Sequence, residues 1–465
     1  MYEKIRKLHF VGIGGIGMSG IAEVLLNLGY QVSGSDMSSN ASVQRLRDLG
    51  ATLFIGHNSE NVRHADVVVR SSAIKPDNPE ILEARRLRIP MARRAEMLAE
   101  LMRIKYGIAI AGTHGKTTTT SMTAALLHEA GMDPTVVNGG VVKAFGSNAR
   151  LGHGDFLVTE ADESDGSFLK LFPTIAVVTN MDPEHMEFYK NFDAVRLAYQ
   201  GFLEKIPFYG LAVLCYDHPE VAALIPRLED KRVITYGLNP GADYQARNIR
   251  QEQGRTHFQV FFQDREREES LLLGDVGIPL PGRHNISNAL AAMAVALELS
   301  IPWEIIVQGL DRYHGVRRRF DILSDTPERT IIDDYAHHPT EIRATLSAAR
   351  DAYGPRRLVA IFQPHRYSRV HDLFEEFLGC FAEADLVLVD RIYPAGEAPL
   401  PGILQDGGQI PLATGILAKS GTAAQSLPGG ENWREALERL LQPGDVVLFL
   451  GAGSITHRAR DFAVS

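Results

Sequence analysis

Residues 7–36 read KLHFVGIGGIGMSGIAEVLLNLGYQVSGSD, and the fold can be worked outward from this stretch. The run KLHFVGI has the apolar character of a buried strand. A glycine loop follows, then a helical stretch from about Ile16 to Leu28 closed by Gly29, then a second strand, YQVSGSD, ending on Asp36. Strand, glycine turn, helix and strand make one unit of a parallel sheet. Gly12, Gly14 and Gly17 fit G-x-G-x-x-G, with Gly15 inside the same loop, and Asp36 lies 19 residues beyond Gly17. Such a loop aims bare backbone N–H groups and the positive end of a helix at an anion, while the acid meets a ribose hydroxyl. The spacing is a dinucleotide fingerprint, so a nicotinamide-dependent oxidoreductase is one reading. Physically, any nucleoside diphosphate satisfies it equally.

The same rhythm recurs along the chain. ADVVVRS, YGIAIAG, FLVTEAD and TIAVVTN read as strands, and after GVRRRFDIL it restarts with TIIDDYAHHP, RLVAIFQP, ADLVLVD and DVVLFLGAG. Alternating strands and helices place the chain in the α/β class. Three domains are expected: residues 1–106 with a Rossmann-like parallel sheet, 107–321 as a central P-loop ATPase-type domain, and 322–465 as a second Rossmann-like domain. Alternating apolar and polar residues between 240 and 275 predict a small antiparallel appendage to the central domain. Proline and glycine crowd residues 394–430, which predicts a surface loop.

Composition narrows the class of partner. The 465 residues are 45% hydrophobic and 23% charged, the balance of a soluble globular enzyme. A net charge of −9 gives no basic stripe, so nucleic acid is not an expected partner. Two cysteines, Cys215 and Cys380, lie far apart in apolar runs and read as buried thiols in a reducing compartment. The basic, apolar N-terminus resembles a signal peptide, but five glycines before Glu23 interrupt it, and no window reaches 18 uninterrupted apolar residues. A cytoplasmic protein with no membrane partner is expected.

A second glycine loop, GTHGKTTTT, occupies residues 112–120. It is shorter than the usual G-x-x-x-x-G-K-[ST], but keeps the parts that matter: amides for β-phosphate oxygens, Lys116 for the β/γ charge, and the Thr117 hydroxyl for Mg²⁺. ATP is therefore the expected ligand. Acids at neighbouring strand ends should complete the metal site, and TEADESDGS offers Glu160 while TNMDPEH offers Asn180, Asp182 and His185. A histidine is an awkward Mg²⁺ ligand by chemistry alone, since that ion prefers oxygen.

Nine motifs in order, GIGGIGMSG with GSD, GTHGKTTTT, TEADESDGSF, TNMDPEHMEFY, GRHNISNALAA, GVRRRF, DDYAHHP, HRYSR and GAGS, resemble those of the Mur ligases over essentially the whole chain. The resemblance implies that the first domain holds a UDP-sugar through Gly12, Gly14, Gly15, Gly17 and Asp36, with His57 near the uridine and Ser71 and Ser72 near the sugar. It implies an ATP site of Gly112, Thr113, His114, Gly115, Lys116, Thr117 and Thr118, with His284 and Asn288 at the adenine, Arg319 at the γ-phosphate and Asp334 at the ribose. Thr117, Glu160 and His185 match the family's metal ligands, for Mg²⁺ or Mn²⁺. Tyr335, His337, His365, Arg366 and Arg369 would line an amino-acid pocket, Arg366 and Arg369 sharing one face of a helix's first turn.

The implied reaction couples L-alanine to the lactyl carboxylate of UDP-N-acetylmuramate, using ATP, through an acyl phosphate. Lys116 and Arg319 would neutralise the migrating charge, and His337 is a candidate base. Within the family, a ligase that attaches a preformed murein tripeptide is the rival, and the enzyme is expected as a monomer or homodimer. Some relatives use a carbamylated lysine as a metal bridge. Lys190 and Lys205 stand at the wrong spacing for it, so none is expected here.

Overall fold

The computed structural model describes residues 5–71, 73–252, 254–264, 267–400, 407–427 and 432–464. Its strands assemble into three sheets. The chain forms two compact units, one of Met1–Asn248, Phe258–Val276 and Ser287–His314, the other of Ile249–His257, Gly277–Ile286 and Gly315–Ser465.

The first sheet contains β1 (Lys7–Val11), β2 (Gln31–Asp36), β3 (Thr52–Ile55), β4 (Val67–Arg70) and β5 (Met91–Arg93). All pairings are parallel, in the order β3-β2-β1-β4-β5. Leu8, Phe10 and Val11 of β1 are fully buried, and helix Ile16–Asn27 sets Ile21, Ala22 and Leu25 into the core with Leu8 and Phe10. Each large apolar side chain so buried contributes roughly 1.5–3 kcal/mol. Strand order reverses between β1 and β4, and a parallel sheet opens a crevice for ligands at the carboxyl ends where that happens.

The second sheet has ten strands: β6 (Tyr106–Ala111), β7 (Thr135–Val142), β8 (Ser147–Arg150), β9 (Phe156–Glu160), β10 (Ile175–Val178), β11 (Leu211–Cys215), β12 (Val233–Gly237), β13 (Tyr244–Glu252), β14 (Arg255–Asp264) and β15 (Glu269–Ile278). Their order is β15-β14-β13-β12-β11-β10-β6-β9-β7-β8. Strands β9, β6, β10, β11 and β12 pair in parallel, while β7 and β8 are antiparallel. The alternating stretch between 240 and 275 supplies β13–β15, which carry on from β12 as the edge of this same sheet. Ile108–Ala111 of β6 are fully buried, so the loop that follows leaves a rigid base.

The third sheet joins β16 (Asp321–Asp325), β17 (Arg329–Asp334), β18 (Leu358–Phe362), β19 (Leu386–Val389), β20 (Ala423–Ser426) and β21 (Asp445–Leu450), in the order β16-β17-β21-β18-β19-β20. Only β16 runs antiparallel, at one edge. The stretch 394–430, expected as a surface loop, contains helix Gln409–Ser420 and β20. Leu412, Ala413 and Ile416 bury one face of that helix, and Gly408 and Gly421 bracket it with left-handed backbone. The glycines that suggested a loop are thus the helix's own punctuation. Cys215 and Cys380 are free, buried thiols. Among the described residues no helix is long and apolar enough to cross a membrane.

Candidate active site

The first glycine loop sits at the reversal in the first sheet. Gly12 has φ +81°, and a Cβ there would come within 3.2 Å of Ser71 Cβ, so the ends of β1 and β4 touch through this glycine. The Ser71 amide donates to Val11 O at 3.1 Å. Gly14 N donates to Asp36 Oδ2 at 2.8 Å, and Asn40 donates to Gly14 O at 3.0 Å. Asp36 therefore braces the loop from inside the fold, leaving Oδ1 bonded to Ser38 N at 3.3 Å on the exposed side. Gly15 leads into the helix from extended backbone. Gly17 passes beneath the Arg94 guanidinium, which a Cβ would approach to 3.1 Å. His57 bonds through Nδ1 to Ser35 and Glu80. Ser72 lies outside the described residues.

Beside this loop is a cavity of about 310 Å³ lined by Arg70, Ser71, Arg93, Arg94, Asp165 and Ser167, among others. Three guanidinium groups at the carboxyl ends of β4 and β5 suit an anionic sugar derivative. Sequence reasoning passed over these arginines because Arg70 ends an apolar strand and Arg93 and Arg94 open a charged helix. Only the return of the chain past residue 165 makes them a wall.

The second loop is held more tightly. Gly112 has φ +138° and a Cβ there would collide with Thr179 Oγ1, while Gly115 has φ +84° and would meet Asn288 Oδ1 at 2.6 Å. Both positions exclude a side chain, leaving a cradle of backbone suited to phosphate oxygens. His114 N donates to Asn180 Oδ1 at 2.7 Å, Asp182 N donates to Thr113 Oγ1 at 2.9 Å, and the Thr179 hydroxyl donates to His114 O at 2.6 Å. His114 also sets Nε2 3.2 Å from Asp182 Oδ2, which with His218 holds the Asp182 carboxyl well below its usual range. So His114 braces the loop from behind.

Lys116 opens helix Lys116–Glu129 and lies across its own loop, donating to Gly112 O, to Thr113 O at 3.3 Å and to Glu163 at 2.7 and 2.9 Å. Burial disfavours its charge, but Glu163, Asp162 and Glu160 outweigh that and raise its pKa, so the ammonium stays protonated. Thr117 and Thr118 are buried in the first turn, and Thr119 donates to Asn288 Oδ1 at 3.1 Å, which ties Asn288 to the loop.

Glu160 ends β9 and accepts from Gly139 N at 2.6 Å. Glu163, Glu184 and His185 bring ligand atoms within 4.8 Å of one another. His185 precedes helix Met186–Tyr189 with left-handed backbone, φ 58°, and its ring nitrogens lie 3.7 Å from Glu184 and Glu187. Two carboxylates and an imidazole fit a divalent cation, and their mixed oxygen and nitrogen character suits Mn²⁺ at least as well as Mg²⁺. Lys190 bonds to Glu187 O, and Lys205 lies over the Phe172 ring.

In the third sheet, Asp334 ends β17 and accepts from Phe320 N at 2.6 Å, Ala336 N at 2.8 Å and Thr345 Oγ1 at 3.3 Å. Burial pushes its carboxyl up to about 6, against the pull of Arg319 and those amides. Arg319 lies over the Tyr335 ring and 3.9 Å from Glu341. His284 is pushed down to about 4 by burial and by Arg319, and so is neutral at pH 7. His337 Nδ1 is 2.9 Å from Tyr335 O and 3.1 Å from Glu341 Oε2. A carbonyl only accepts, so Nδ1 carries the ring proton and Nε2 is the basic nitrogen.

His365 stacks on Tyr393 at 5.5 Å and meets His337 edge-on. Burial, then His337, Arg369 and Arg366, bring His365 down to about 3. Arg369 lies within helix Tyr367–Asp372, but Arg366 precedes that helix with φ 66°. The two arginines therefore do not share a helical face as expected. A backbone bridge pairs His365 with Tyr393 just before the helix starts. Tyr393 gave no sequence signal because it follows β19 in a stretch without periodicity.

Models of the Mur ligase family match residues 7–106 (catalytic domain), 110–296 (middle domain) and 318–453 (glutamate ligase domain). A protein named UDP-N-acetylmuramate–L-alanine ligase from Magnetococcus marinus is 62% identical over 464 residues, spanning 100% of this chain and 98% of its own. The chain belongs to the Mur ligase family. Another Mur ligase of the same name, from Bradyrhizobium sp., is 54% identical across 98% of this chain and 97% of its own. Among solved structures, the UDP-N-acetylmuramate–alanine ligase of Thermotoga maritima superposes with a TM-score of 0.82 at 30% identity, covering 98% of both chains. A murein peptide ligase from Psychrobacter arcticus shares the fold, with a TM-score of 0.72 at 24% identity and 98% of both chains covered. Membership of this family does not favour the nicotinamide-dependent reading that the first loop's spacing also allowed.

Proposed function

We propose that this Mur ligase joins L-alanine to the lactyl carboxylate of UDP-N-acetylmuramate at the expense of ATP, releasing ADP and phosphate. The observation that carries it is the Gly112–Thr117 cradle with the protonated Lys116 lying across it, in a chain 62% identical end to end to a protein named for that reaction. On this reading residues 1–106 take the UDP-sugar, 107–321 take ATP and 322–465 take the amino acid.

A carboxylate is a poor electrophile toward an amine. Moving the γ-phosphoryl of ATP onto a carboxylate oxygen breaks the β–γ bridge and turns that oxygen into a leaving group, with Lys116 and Arg319 offsetting the migrating charge. The amine nitrogen of L-alanine then bonds to the acyl carbon, the carbon–oxygen bond to phosphate breaks, and the amine loses a proton. Nε2 of His337 is the nitrogen available to accept it. Arg366 and Arg369 would hold the L-alanine carboxylate. Thr117, Glu160 and His185, with Glu163 and Glu184 adjoining His185, would hold Mg²⁺ or Mn²⁺, which supplies charge neutralisation to the nucleotide phosphates.

Phosphate release from ATP, measured with UDP-N-acetylmuramate and a panel of amino acids, tests this reading. Release should require both co-substrates and favour L-alanine; glycine or serine should follow within roughly 10–200-fold, the range that one methyl-sized difference provides. Release with a murein tripeptide but not with L-alanine would refute the assignment.

A further inference from the structure

Glu80 opens helix Pro79–Arg86 and is completely buried. Its Oε2 accepts the Ser35 hydroxyl at 2.6 Å and lies 3.0 Å from His57 Nδ1. Its Oε1 accepts the Asn61 amide at 2.6 Å and lies 3.7 Å from His9 Nε2. Burial opposes ionisation, yet the neighbouring His9 ring and hydrogen bonds from Ser35 and Asn61 draw the carboxyl down to about 2. At neutral pH, then, Glu80 can only accept.

The Ser35 proton is committed to Glu80, so the Ser35 oxygen, 3.0 Å from His57 Nδ1, offers that nitrogen only a lone pair. With acceptors on both sides, Nδ1 must carry the ring proton. In the neutral imidazole this leaves Nε2 as a bare acceptor, and no described residue donates to it. His57 follows β3 directly after Gly56, whose amide donates to Asp36 O at 2.8 Å. The ring thus stands at the carboxyl edge of the sheet, just after β3, with 12% of its side chain exposed. On the reading that the loop holds a nucleotide diphosphate, the base would extend away from it toward the ends of β2 and β3.

We propose that Glu80 is a positioning residue that fixes the His57 proton on Nδ1, so that Nε2 accepts from an imide N–H and selects uracil over cytosine. The inference rests on the reading that the first glycine loop holds a uridine diphosphate. Uracil presents a donor at N3, whereas cytosine presents a lone pair there, which would leave two acceptors facing each other.

Two measurements on the full chain test it. Long-range ¹H–¹⁵N spectra at pH 8 report which His57 nitrogen is protonated, the resonance being assigned with His57→Gln. Titration with UDP and with CDP gives the preference of the wild type and of Glu80→Gln. The expected result is an unprotonated Nε2, a wild-type preference for UDP of about tenfold or more, and a clear narrowing of that ratio in Glu80→Gln. In turnover, the loss in Glu80→Gln should fall on the KM for the UDP-sugar more than on kcat. Should Glu80→Gln fail to fold, His57→Gln carries the comparison, since a rotatable amide can serve either base and should bring the ratio toward one. A protonated Nε2, equal binding of CDP, or an unchanged ratio in the variant overturns the role of Glu80 while leaving the ligase reading intact. Failure of the wild type to bind UDP at all overturns both.

Discussion

The two glycine loops begin alike, each leaving a buried parallel strand for a helix, and differ in what holds them. The loop at Gly12–Gly17 is braced by a carboxylate, Asp36, bonded to its own Gly14 amide, and contains no cation. The loop at Gly112–Thr117 carries a buried ammonium, Lys116, bonded to its own carbonyls and to Glu163. A diphosphate that is only gripped can be served by backbone amides, whereas a phosphoryl group that must leave its nucleotide calls for a positive charge where charge migrates. On the proposed reading the contrast would distinguish a binding loop from a reacting loop, although their glycines look equivalent in sequence.

That contrast can be broken by substitution. Lys116→Ala should lower turnover by about a thousandfold in a phosphate-release assay, while the KM for the UDP-sugar stays within about threefold. Turnover within tenfold of wild type would remove the distinction. Gly112→Ala forces a side chain against Thr179 at φ +138°. It should destabilise the fold by about 3 kcal/mol, read as a lowered midpoint in urea. Asp36→Ala removes the brace from the first loop and should raise the KM for the UDP-sugar about tenfold without moving the KM for ATP. An effect on ATP instead would mean that the loops are not separate binding sites. Gly15→Ala is the mildest: its Cβ would meet nothing closer than Gly12 O at 3.6 Å, and its backbone is extended. Stability should change by less than about 0.5 kcal/mol in the same titration.

Much of this was legible in the chain itself. Strand and helix rhythm identified the three sheets, and the glycine spacings located both loops, because backbone that must turn sharply around an anion tolerates few other residues. Long-range partnerships were not legible. The run TEADESD offers several acids, and nothing local says that Glu163 faces Lys116 while Glu160 reaches the Gly139 amide. Glu80 gave no sequence signal and is buried, because β2 and the loop after β3 fold over it. Arg366 and Arg369 were placed on one helical face by their spacing, which could not register the left-handed backbone of Arg366.

The bond between Lys116 and Glu163 has a thermodynamic consequence. Any anion entering that loop competes for an ammonium already neutralised, so nucleotide binding is an exchange of partners rather than a simple gain of attraction. Lys116 is never left uncompensated in a dry site, which spares the fold a costly interval between ligands. The displaced carboxylate meanwhile needs a new counter-charge, and Glu184 and His185 stand beside it where a divalent ion would provide one. Cation and nucleotide should therefore strengthen each other's hold on the protein, to the same degree in either order of addition.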